Sequence, residues 1–118
     1  MTIDRFLGGR LLSQARTESF KARNAKHMNY RARAVADGII SFDDLVYMQF
    51  VNLAKDEAQK WDLTPFELVS IVTNSSAEEA AQRLHDAYLK VAEHYGPTFT
   101  VRDPTDLSYI STLDRMLG

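Results

Sequence analysis

Thr64-Pro65-Phe66-Glu67 fixes a helix start more tightly than any other stretch of this chain. Threonine at the cap accepts a bond from a first-turn amide, and proline pre-sets φ where no N–H is needed. Glutamate three residues on returns a bond to the cap. Ser41 with Asp44 is a carboxylate version of the same box and predicts a helix from Phe42 to about Trp61. Ser75-Ser76 followed by Glu78-Glu79 predicts a third start. Start signals this closely spaced leave little room for anything except helices. The one extended-looking segment, Thr98-Phe99-Thr100-Val101, is too isolated to build a sheet.

Apolar periodicity agrees. Tyr47, Phe50, Val51, Ala54, Ala58 and Trp61 recur at helical spacing, and Leu45, Val46, Met48 and Leu53 widen that face, as in a helix buried on more than one side. The helix after Thr64 is short and ends near Thr73-Asn74. Ala77, Ala80, Ala81, Leu84, Ala87, Tyr88, Val91, Ala92 and Tyr95 mark a cleanly amphipathic helix that Gly96-Pro97 stops. Asp103-Pro104-Thr105 turns the chain into a last helix over 106–117, using Leu107, Ile110, Leu113 and Leu117. The expectation is an all-α fold, a compact bundle of four to five helices.

Charge divides the chain. Residues 1–36 carry eight Lys/Arg against two acidic side chains, whereas residues 37–118 carry six against fourteen. The net charge of −2 therefore hides a basic segment joined to an acidic one. Gly8-Gly9 reads as a flexible break, and Gly38 punctuates the far end. Residues from Arg10 to Ala36 are good helix formers, yet their cations and apolar side chains point all around the axis, with no single apolar face. This predicts two parts: a basic N-terminal arm, helical or partly extended, over 1–36, and an acidic α-helical body over 37–118.

Residue chemistry argues against catalysis. Cysteine is absent, so no thiolate nucleophile or thiolate metal site exists, and a reducing compartment is suited. His27, His85 and His94 lack metal-ligand spacing, and the five glycines form no phosphate loop. The pairs Asp43/Asp44, Asp56/Glu57 and Glu78/Glu79 are adjacent in sequence and splay apart on a helix. Two of them lie in first turns, where the helix dipole accounts for them. No catalytic residue, cofactor, metal or small-molecule substrate is expected. No apolar run is long enough to cross a bilayer, and no secretory signal opens the chain, which points to the cytoplasm or the inside of an assembled particle. The segment 64–92 has the outline of a helix-turn-helix, but Glu78 and Glu79 would repel phosphate from its second helix, so a plain hairpin is expected.

The basic segment carries the functional expectation. Its cations are interleaved with Phe20, His27 and Tyr30. Three uses fit: docking on an acidic protein partner or neighbouring subunit, contact with nucleic-acid phosphates, or lying across the chain's own acidic part. The binding residues expected are Arg16, Phe20, Lys21, Arg23, Lys26, Tyr30, Arg31 and Arg33. Phe99 and Tyr109 read as core, with an interface as their other use. The sequence thus describes a non-enzymatic interaction protein: an adaptor, regulator or assembly component, viral ones included. Nucleic-acid binding through the same arm is the alternative. A membrane role is not expected, for want of a strongly amphipathic basic segment.

Overall fold

In the computed structural model, residues 5–97, 100 and 103–118 are described, and they form six helices. These are α1 (Arg5–Arg23), α2 (Tyr30–Ala36), α3 (Phe42–Lys60), α4 (Pro65–Thr73), α5 (Ala77–Tyr95) and α6 (Ser108–Leu117). The extended segment expected at 98–101, Phe99 included, lies outside the described residues apart from Thr100.

The start signals act as their chemistry requires. Ser41 Oγ accepts from the Asp44 amide at 3.0 Å, and Asp44 Oδ2 accepts from the Ser41 amide at 3.2 Å. Thr64 and Glu67 exchange the same two bonds at 3.2 and 3.1 Å. The carboxyl of Glu67 is held below its ordinary value, first by the bond from the Thr64 amide. Ser76 caps α5 through the Glu79 amide at 3.0 Å. Gly96, at φ 122°, closes α5, and Asn74 closes α4 in the left-handed region at φ 56°.

α3 is the central element. Leu45, Met48, Phe50, Val51, Ala54 and Ala58 are all buried along it, and α1, α2, α4 and α5 pack around it. α1 packs on α3 more extensively than any other pair of elements and runs antiparallel to it, with Arg10 near Glu57 and Phe20 against Phe42. The molecule measures 43 × 33 × 20 Å, and its short dimension is that of two helix layers.

The basic segment departs most from expectation. It does not form one helix from Arg10 to Ala36. α1 begins earlier, runs straight through Gly8-Gly9, and ends at Arg23. Asn29 then starts α2 by accepting from the Ala32 amide at 2.9 Å. An apolar face exists after all, as the narrow stripe Leu7, Leu11 and Ala15, continued by buried Ser19, whose hydroxyl donates to the Ala15 carbonyl at 2.7 Å. Leu7, Leu11, Ala15, Tyr30 and Ala34 belong to the same core cluster as the helices that follow. The charge boundary at residue 36 is not a packing boundary. Helices α1 and α2 lie in the bundle and raise the helix number to six.

Candidate interaction site

The eight residues expected to bind fall into three groups. Tyr30, Arg31 and Arg33 are engaged with α6, Tyr30 buried and Arg33 at the surface. The Tyr30 hydroxyl donates to Asp114 Oδ1 at 2.6 Å, and Arg31 Nη2 donates to the same oxygen at 2.7 Å. Arg31 Nε donates to the Tyr88 hydroxyl at 2.9 Å, while its guanidinium lies 4.9 Å from the Tyr30 ring centroid. Arg33 Nη2 donates to the Leu117 carbonyl at 2.9 Å, on the last turn of α6. Burial pushes the Tyr30 hydroxyl far above the usual tyrosine range, and its bond to Asp114 pushes the same way. Burial works against the Arg31 charge. Tyr88, Tyr30 and Asp114 outweigh it, so the guanidinium is held above its ordinary value. These three residues join elements of one chain.

Lys21 and Lys26 form a second group, both exposed. At ~100° per residue Lys21 lies on the flank of α1 opposite Leu12, and Lys26 lies beyond the helix end.

Arg16, Phe20 and Arg23 form the third group, along the seam where α1 meets α3. Phe20 is 48% exposed although it is a large aromatic residue, and Leu12 on the same flank is 37% exposed. The Phe20 ring is held in place. Its centroid lies 4.8 Å from that of Phe42, and the Arg23 guanidinium is 5.3 Å from one ring and 4.8 Å from the other. Exposed aromatic rings and arginines are the residue types enriched where proteins meet.

Toward the start of α1 the seam opens into a groove of about 480 Å³. Leu12, Val46, Phe50 and Val72 supply apolar lining, Arg16 and Arg83 its cations, and Asp43 its one carboxylate. The Arg83 guanidinium stacks 4.1 Å from the Tyr47 ring centroid, and the Tyr47 hydroxyl donates to the Ala80 carbonyl at 3.3 Å. Neither Arg16 nor Arg83 has an ion-pair partner among the described residues; the pairs present are Arg10–Glu57, Lys60–Glu57 and Arg31–Asp114. An unpaired guanidinium offers a carboxylate two parallel donors. Sequence reading passed over Leu12, Phe42 and Arg83. The signal for Leu12 was present, since it lies four residues before Arg16 and eight before Phe20, but Arg83 joins them only through tertiary packing.

A second, more polar cleft of about 290 Å³ lies between α3, α5 and α6, with Arg31, Asn52, Lys55, Tyr88, Ser111 and Asp114 among its walls. Among the described residues no group of three or more His, Cys, Asp or Glu side chains could hold a metal ion, and no helix is long and apolar enough to cross a membrane. Comparison with protein-family models, curated proteins and solved structures gave no match.

Proposed function

We propose that this chain works by binding, as an adaptor, regulator or assembly component, and that it receives an acidic protein partner or neighbouring subunit on the α1–α3 seam. One observation carries the reading. Phe20 packs against Phe42 and Arg23 and is still half uncovered, beside Arg16 and Arg83, which have no ion-pair partner among the described residues. Burying such a ring releases its hydration, and an ordered ring loses little further side-chain freedom on association. The seam favours protein over nucleic acid because its floor is apolar and carries Asp43, while Phe20 is already packed against Phe42 and Arg23. A cysteine-free chain of this kind suits the cytoplasm or the inside of an assembled particle.

A photo-crosslinking amino acid at position 20 tests this in the full chain, inside the cells that make it, with the same group at position 21 as the opposite-flank control. The reading predicts protein adducts from position 20 and few from position 21. Nuclease-sensitive adducts would favour the nucleic-acid alternative. Equal labelling from both positions, or none from position 20, would refute a docking seam.

A further inference from the structure

The two adjacent glycines of α1 have different surroundings. A Cβ on Gly8 would meet the Val72 Cβ at 3.0 Å, so the missing side chain there lets α1 lie close on α4. A Cβ on Gly9 would meet nothing within 4 Å. Glycine inside a helix costs stability, and no close packing among the described residues requires one at position 9. Gly9 does line the groove, and a side chain there would project into its open space.

From this groove we infer that the partner contributes an amphipathic helix carrying a large apolar side chain, seated opposite Gly9 and over Leu12, Val46 and Val72, with acidic residues beside it that pair with Arg16 and Arg83. This rests on the docking seam proposed above and names its occupant. Two observations fit together. The groove, at about 480 Å³, has room for a large apolar side chain. From Gly9 to Phe20 the seam runs along α1 for about 17 Å, or three turns of a partner helix, so a segment anchored at Gly9 also reaches the exposed ring of Phe20.

Charge sets both the chemistry and the position of the occupant. Arg16 and Arg83 outnumber Asp43 at the groove, and Arg23 extends the positive edge. On the far side of Arg83 the surface turns acidic, through Asp44, Glu79 and Asp86, with Lys90 beyond. An acidic helix is therefore drawn toward α1 and repelled from α5, which fixes its line along the seam.

Selection of random 15-residue displayed peptides on the purified full chain tests the inference. Enriched peptides are then synthesised, and their anisotropy is measured against the unaltered chain and against Gly9→Trp, Arg16→Glu and Phe20→Ser, each checked by thermal unfolding. The expected peptides carry a large apolar residue flanked by Asp or Glu at helical spacing. Affinity should fall by about tenfold or more in Gly9→Trp and Arg16→Glu, as for a filled pocket and a reversed charge at a hot spot. Exchanging the peptide's acidic residue for Lys should restore binding to Arg16→Glu, which separates a lost contact from a damaged fold. Peptides without acidic residues, or no enrichment, would overturn the inference. Peptides sensitive to Phe20→Ser but to neither groove variant would leave the seam standing and remove the helix from the groove. Insensitivity to all three variants would remove both. Self-association of the chain that Gly9→Trp abolishes would make the occupant a second copy and overturn a separate partner.

Discussion

Gly8 and Gly9 stand side by side in one helix with opposite consequences for stability. Each costs α1 backbone entropy, by about 0.5–1 kcal/mol relative to alanine in a helix interior. At position 9 nothing stands in the way of a methyl group, so Gly9→Ala should stabilise the chain by roughly that amount. At position 8 the methyl meets Val72 at 3.0 Å, and α1 must lift from α4 to admit it. Gly8→Ala should therefore gain nothing or lose stability, although its helix propensity improves equally. Urea unfolding of the two variants beside the parent checks this, and an equal gain at both positions would show that α1 does not rest on Val72. Residue identity alone suggested a break at this dipeptide. Which glycine serves packing and which leaves a surface open depends on Val72, 64 residues away in sequence.

At the scale of elements, legibility followed how local the causes were. α3, α4 and α5 could be read because their caps and apolar spacing lie within a few residues of one another, as with Ser41–Asp44 and Thr64–Glu67. α1 was harder. Its buried stripe runs Leu7, Leu11, Ala15 and Ser19, too narrow and too small to stand out among cations spread around the axis. α2 was hidden because one side-chain bond, from Asn29, starts it. The roles of Tyr30, Arg31 and Arg33 were beyond sequence reading, since their partners on α6 lie 83–84 residues away. Those partners make a prediction about α6, which starts without a side-chain cap and is fastened to α2 through Asp114 and the Leu117 carbonyl. Asp114→Ala leaves the buried Tyr30 hydroxyl without its acceptor and Arg31 with only its bond to the Tyr88 hydroxyl. With Asp114 itself about half exposed, the loss should be about 1–2 kcal/mol. Urea unfolding reads it, and a loss near zero would mean that apolar packing alone, through Tyr109 and Leu113, holds α6 in place.

At the scale of the whole molecule, the uneven charge changes its meaning once the fold is known. A basic arm joined to an acidic body suggests a tether that orders on its target. Here the basic segment is split: part of it fastens α2 to α6, and part forms one wall of a groove otherwise lined by α3, α4 and α5. The proposed docking seam is therefore formed by the fold itself, and association there would not include the ordering cost that a disordered arm would carry. This predicts slow exchange where an arm would exchange fast. Amide hydrogen exchange of the isolated full chain, followed residue by residue, measures it directly. Protection of the Leu11–Ser19 amides close to that of Leu45–Ala54 in α3 is the predicted result. Near-random-coil exchange over α1, alongside protected α3 and α5, would contradict a preformed seam and return the basic segment to the status of a free arm.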